Sequence, residues 1–62
     1  MKNVFDFEMY FKNRTCFGDF WKGCGWIKGK FYIVDSLFLG YSKKDIEKAL
    51  KDLIREKARK EA

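Results

Sequence analysis

The chain has 62 residues and a net charge of +5, and it contains no histidine and no proline. A chain of this length buries only about 60% of the surface that it exposes when unfolded, which leaves little room for a catalytic pocket. We therefore predict one small domain, spanning residues 1–62. Its margin of stability is thin, and since a disulfide and a metal site are poorly indicated, oligomerisation or docking on a partner is the route left open.

Residues 3–34 have the pattern of a small β-sheet. In the segment VFDFEMYF at 4–11, apolar and polar side chains alternate with the period of two that is typical of a half-buried strand. The segment KNRT at 12–15 is predicted to be a hairpin turn, because asparagine tolerates the left-handed backbone conformation. A second strand is predicted at about 15–22.

The third strand is centred on KFYIV at 30–34, where β-branched and aromatic side chains dominate. The intervening segment GCGWIKG at 23–29 contains three glycines, which predicts at least one tight turn or bulge there. The pattern leaves open whether the first or the second strand is the middle one.

The last third of the chain predicts a helix at 43–58. Ser42 and Asp45 form a capping box, in which the serine oxygen accepts a hydrogen bond from an N–H group of the first turn. Apolar residues then recur at the spacing of one helical face: Ile46, Ala49, Leu50, Leu53, Ile54 and Ala58. The predicted fold is α+β, a three-stranded antiparallel sheet followed by one C-terminal amphipathic helix packed on one face (βββα).

The segment KGCGWI at 22–27 resembles the first six positions of the ribonucleoprotein octapeptide of RNA-recognition motifs, K/R-G-F/Y-G/A-F-V-x-F/Y. Cys24 and Gly29 stand where two of the three base-stacking rings belong, so that Trp26 alone remains. A full RNA-recognition motif also needs more chain than this sequence has. We interpret the likeness as local, with the glycines allowing the backbone to turn and Trp26 packing or lying at an interface.

The number of aromatic rings is the strongest indication of function. All twelve lie within the first 41 residues, and each can bury about 150–250 Å². One helix on one small sheet does not easily cover them, so some rings should be exposed and form a contact surface. The sequence therefore predicts a non-enzymatic interaction protein that docks on a protein partner, a second copy, or both. The predicted contact residues are Trp21, Trp26, Tyr32, Phe20 and Tyr10.

The size and style of the chain are typical of the small accessory or inhibitory proteins of phages and mobile elements, which act on a larger enzyme or nuclease. The alternative prediction is a small basic protein that binds single-stranded nucleic acid. In that alternative, bases stack on rings such as Trp26, while Lys22, Lys28 and Lys30 contact phosphates.

Catalysis, metal binding and membrane insertion are not indicated. Without histidine, neither Cys16 nor Cys24 has a partner to make it a nucleophile, and no cysteine pair has zinc-site spacing. We predict no catalytic residue, cofactor or small-molecule substrate.

The N-terminal segment does not resemble a signal peptide, and no apolar run reaches the ~20 residues of a membrane span. The sequence predicts a cytoplasmic protein with reduced thiols, although a disulfide between the two cysteines stays open.

Overall fold

A computed structural model describes residues 3–61 of the chain. Within them, β1 (Phe5–Thr15), β2 (Gly18–Ile27) and β3 (Lys30–Phe38) precede one helix, α1 (Lys43–Glu61). The strands form one antiparallel sheet in the order β1-β2-β3. The predicted βββα fold is thus confirmed, and β2 is the middle strand.

The first hairpin turns later than predicted. The segment 12–15 belongs to β1, and the turn lies at Cys16 and Phe17 instead. Here the Thr15 hydroxyl accepts a hydrogen bond from the Phe17 N–H group at 3.1 Å and donates one to the Gly18 carbonyl at 2.9 Å. The predicted turn at 12–15 was wrong because this threonine closes the hairpin, whereas the asparagine pairs within the ladder.

The glycine-rich segment 23–29 contains a tight turn, as predicted, but the second strand does not end at about 22. Strand β2 runs straight through it to Ile27, in unbroken register with β3. The turn is confined to Lys28 and Gly29, whose φ angles of 50° and 79° are those of a tight hairpin turn. The third strand consequently extends to Phe38 and not only to 34.

The glycines inside β2 serve close packing and not turning. A Cβ atom placed on Gly23 would lie 2.9 Å from the Cβ atom of Leu50 in α1. One placed on Gly25 would collide with Val4 and would lie 3.7 Å from Ile54. The absence of side chains at these two positions lets α1 lie directly on the middle strand.

The core lies between α1 and the face of the sheet that carries Gly23 and Gly25. Leu50 and Ile54 are completely buried, because they project into the space that the two glycines leave. Around them lie the other buried apolar side chains on this side, which form two adjoining clusters: Ile27, Tyr32 and Ala58 in one, Phe38 and Ile46 in the other. Burial of one helical face explains the apolar spacing in the sequence of α1.

Both ends of α1 are held by polar contacts. At its start, the Ser42 hydroxyl oxygen accepts a hydrogen bond from the Asp45 N–H group at 3.2 Å, as the capping pattern predicted. Its far end extends to Glu61, beyond the predicted end at 58. An ion pair of 3.2 Å between Glu61 and Lys30 ties this last turn to the start of β3, which explains the extra length.

The two edges of the sheet differ. Along β1 the register shifts twice, between Phe5 and Glu8 and again between Phe11 and Asn13, and Asp6 has a positive φ of 54°. These irregularities are β-bulges, which bend a strand. On the opposite edge, the Lys57 ammonium group of α1 donates a hydrogen bond of 3.0 Å to the outward-facing carbonyl of Ile33 in β3.

The close approach of α1 to β2 predicts an unequal effect of two alanine substitutions. Gly23→Ala should lower the free energy of unfolding by about 1–3 kcal/mol, because the new methyl group overlaps the Leu50 side chain and pushes the helix outward. Gly29→Ala should cost less, since no other atom lies within 4 Å of that position and only the backbone conformation is strained. Chemical denaturation measures both values. Equal losses would contradict the packing role of Gly23.

Candidate functional site

The side of the sheet that faces away from α1 is the candidate site, and we call it the open face. Since Gly23 and Gly25 point toward the helix, their neighbours in β2 point the other way. The strand register places residues of β1 and β3 beside them. The apolar side chains of this face are Phe5, Tyr10, Phe20, Trp26, Phe31, Ile33 and Leu37, with Cys24 near its centre.

One end of the open face is a row of three aromatic rings. Phe5, Trp26 and Phe31 lie opposite one another on the three strands. The ring centroids of Trp26 and Phe31 are 5.1 Å apart, which is a favourable contact distance. Even so, these three residues remain 60%, 41% and 44% exposed. The rings cover part of one another but are not covered by the rest of the chain.

The other end of the open face is smaller. Phe20 in β2 lies opposite Leu37 in β3, and Leu37 is exposed while Phe20 is half-buried. The two ends are separated by six residues along β2, or about 20 Å. Between them lies Cys24, which its neighbours on the same face bury to 8% exposure.

A band of charged and polar groups crosses the middle of the open face. Lys22 of β2 lies between Tyr10 of β1 and Asp35 of β3 in one cross-strand row. The Asp35 carboxylate pairs with the Lys12 ammonium group at 3.5 Å, and Glu8 accepts a hydrogen bond from the Tyr10 hydroxyl. Within residues 3–61, Lys22 has no acidic partner at ion-pairing distance.

The hydrogen bond between Tyr10 and Glu8 affects the ionisation of the phenol. It raises the pKa of Tyr10 above the ordinary value of 10.0, because the phenolate form cannot donate this bond. Repulsion between the phenolate and the nearby carboxylate acts in the same direction. The pair therefore favours a neutral tyrosine on the open face.

Of the five predicted contact residues, three lie on the open face and two do not. Trp26, Phe20 and Tyr10 are on it, as described above. Tyr32 instead packs in the core against Ile54, with 7% exposure, and Trp21 lies on the helix side with its ring against Phe11. We correct the predicted set accordingly, because odd positions of β2 and even positions of β3 face α1.

Sequence reasoning missed four apolar members of the open face, Phe5, Phe31, Ile33 and Leu37. In the structure, exposed and less exposed residues alternate along β3 from Phe31 to Phe38. Alternation alone does not say which set faces the helix, since each set contains apolar or aromatic side chains. The glycines of β2 indicate which face the helix covers, because positions without a side chain leave space for a helix to pack on the strand.

The three lysines of the alternative prediction do not lie together. Lys22 is in the middle of the open face, whereas Lys28 is at the tip of the second hairpin. Lys30 belongs to the helix side, where its ammonium group pairs with Glu61 and lies 5.6 Å from the centre of the Tyr32 ring. The only ring near Lys22 on the same row is that of Tyr10.

Trp21 has an unusual environment for a tryptophan. Its indole Nε1 atom is buried and lacks a hydrogen-bond partner, alone among the side-chain polar atoms of the described chain. The ring itself makes an edge-to-face contact with Phe11, with centroids 5.5 Å apart. The packing of this ring is favourable, while burial of its N–H group is not.

Three further features bear on the chemistry of the chain. Both cysteines are free, Cys16 exposed in the first turn and Cys24 buried on the open face. Among residues 3–61, no three histidine, cysteine or carboxylate side chains are grouped so as to hold a metal ion. In the same range, α1 is too polar to cross a membrane.

Comparisons with known proteins give no relative: no family model, no curated protein and no solved structure matches this chain.

The unpartnered indole predicts an unusual mutational result at position 21. Trp21→Phe should change the free energy of unfolding by less than about 1 kcal/mol, because the lost ring area is offset by removing a buried donor without an acceptor. Trp21→Ala, which also removes the contact with Phe11, should cost clearly more. Thermal and chemical unfolding of both variants provide the comparison. A similar loss in both would mean that the indole N–H group is in fact bonded.

The Tyr10–Glu8 pair predicts a pH-dependent contribution to stability. Because the folded-state pKa of Tyr10 is raised, the stabilising hydrogen bond is fully present below the ordinary value of 10.0 and is lost as the pH rises through the folded-state value. NMR titration of the Tyr10 ring should give a midpoint above 10.0, and Glu8→Gln should lower it. A midpoint that the substitution leaves unchanged would show that Glu8 is not the cause.

Proposed function

We propose that this chain is a non-enzymatic interaction protein that docks on another protein through its open face. The observation that carries the proposal is the uncovered aromatic row, in which Phe5, Trp26 and Phe31 each keep at least 41% of their surface exposed. Tryptophan and other large rings at the centre of a contact surface contribute much of the binding energy in protein complexes.

The total surface of the chain supports the same proposal. Its accessible area is 4662 Å², about a tenth more than the roughly 4,250 Å² that is typical of a monomer of this mass. The excess fits a chain that covers only one side of its sheet. Antiparallel sheets often leave one face to water, but that face is then mainly polar. Here the ends of the open face are apolar.

A protein partner fits the open face better than a nucleic acid does. Its two lysines, Lys12 and Lys22, are balanced by Asp35 and Glu8, and Lys12 is already paired. Single-stranded nucleic acid calls for cations that follow the backbone beside a series of stacking rings. The balanced charges and the dispersed lysines give less support to that alternative. An accessory or inhibitory role toward a larger protein stays a prediction.

The proposal predicts that Trp26 is needed for protein capture. The tagged chain, immobilised and incubated with a nuclease-treated extract of its source cells, should retain protein that the Trp26→Ala variant does not retain. Phe17→Ala is the matched control, because Phe17 is also an exposed ring, at 72%, but lies in the first turn outside the open face. Circular dichroism should show the same helical content in all three proteins.

Two outcomes would count against the proposal. Equal retention by the Trp26→Ala variant and the wild type would mean that the open face is not the docking surface. Binding of labelled single-stranded DNA that quenches tryptophan fluorescence and weakens steeply with salt would favour the nucleic-acid alternative.

A further inference from the structure

The open face has an arrangement that can match a copy of itself. Along β2, the aromatic row at Trp26 and the smaller apolar end at Phe20 lie on either side of a midpoint at Gly23. Lys22 comes one residue before this midpoint and Cys24 one residue after it. Consider a two-fold axis that runs parallel to the sheet, perpendicular to the strands, and passes over Gly23. Rotation by 180° about this axis places the aromatic row of one copy over the smaller apolar end of the other. It also places each central row over the other central row.

The two central rows carry charged groups that can pair across the rotation axis, although Asp35 shares the Lys22 row and is itself paired with Lys12. Lys22 belongs to one central row, and Glu8 lies beside Cys24 in the other. In two copies related by this rotation, Lys22 of each would face the row that contains Glu8 of the other. Lys22 has no ion pair within the part of the chain that is described, and Glu8 is engaged only by the Tyr10 hydroxyl.

We propose that the partner of the open face is a second copy of this chain. The two open faces stack about this two-fold axis, with Trp26 over Phe20 and Phe31 over Leu37 at each end, and with Lys22 paired to Glu8 across the middle. This inference rests on the proposed function and names the partner of the same surface. Isologous contacts of this kind close on themselves and give a dimer.

The area of the open face is sufficient for a dimer of modest stability. Three strands about 4.8 Å apart and about ten residues long give roughly 460 Å² in projection for each copy. With the relief of the side chains added, two copies bury about 1,000–1,200 Å² in total, at the lower bound of specific interfaces. We therefore expect a micromolar dimer, since both apolar ends but few hydrogen bonds contribute.

Strand addition at the outer edge of β3 is the competing way to join two copies. The Lys57 ammonium group already occupies the Ile33 carbonyl on that edge, at 3.0 Å. An incoming strand would have to displace it and leave a lysine beside the new ladder, which is a common protection of edge strands. Face-to-face stacking needs no such displacement.

Exchange of the central charges tests the dimer. Sedimentation equilibrium should show the wild type as a dimer at tens of micromolar. Lys22→Glu and Glu8→Lys should each weaken association by at least about tenfold, because each homodimer then contains two like-charge contacts. An equimolar mixture of the two variants should associate as well as the wild type, since both cross-pairs again join opposite charges. Lys48→Glu, the same change on the exposed side of α1, should have no effect.

The outcomes separate this inference from the proposed function. The dimer is overturned if the wild type is still monomeric at about 100 µM, which is 100-fold above the expected micromolar dissociation constant. It is also overturned if the mixture of the two variants does not recover association. If Trp26→Ala still abolishes protein capture in that case, the open face docks on a different protein and the proposed function stands. Self-association that neither Trp26→Ala nor the charge exchange weakens would overturn this dimer, and the capture experiment with Trp26→Ala would then decide the proposed function separately. Should a charge reversal unfold the chain, Lys22→Gln and Glu8→Gln are the variants to compare, each with a smaller expected loss.

Discussion

The contact between α1 and the middle strand is the constraint on which the rest of the structure depends. Gly23 and Gly25 leave a trough along β2, which Leu50 enters at Gly23 and which Val4 and Ile54 enter at Gly25. Within residues 3–61, Leu50 and Ile54 are the largest side chains that are fully removed from water, so this contact contributes strongly to folding. Positions 23 and 25 of β2 must therefore stay free of side chains, whereas Trp21 and Ile27 pack on the same side around the helix.

This solution to core packing determines what the other side of the sheet carries. Aliphatic side chains from the helix occupy the centre of the core, and of the twelve rings only those of Tyr32 and Phe38 are buried there. Most of the others lie at the core margins, as Trp21 does, or on the open face, while Phe17 lies exposed in the first turn. A domain with a second helix would cover the open face within one chain. In this protein we propose that another molecule does so.

The fold class and the helix could be predicted because their signals are local. The serine cap and the apolar spacing of α1 depend only on neighbouring residues, and so does the alternation at the start of β1. The turns could not be placed as well, because glycine has two uses that look alike in sequence. Gly29 provides a positive φ, whereas Gly23 allows a helix to approach, and only the tertiary contact with Leu50 distinguishes them. The same ambiguity left the faces of Tyr32 and Trp21 unresolved in the sequence, since the face of a strand is defined by what packs on it.

The hydrogen bond from Lys57 to the Ile33 carbonyl has a consequence for how the chain behaves at high concentration. A protein with three long strands, two of which form the edges of its sheet, offers unpaired backbone groups at those edges to other chains. Fibril growth begins where a flat strand offers unused carbonyl and amide groups. The Lys57 side chain blocks the β3 edge of the sheet, and the bulges of β1 bend the other edge out of register. Acetylation of the Lys57 amine would remove its charge and its protection of the Ile33 carbonyl. The β3 edge would then be open to pairing with further chains.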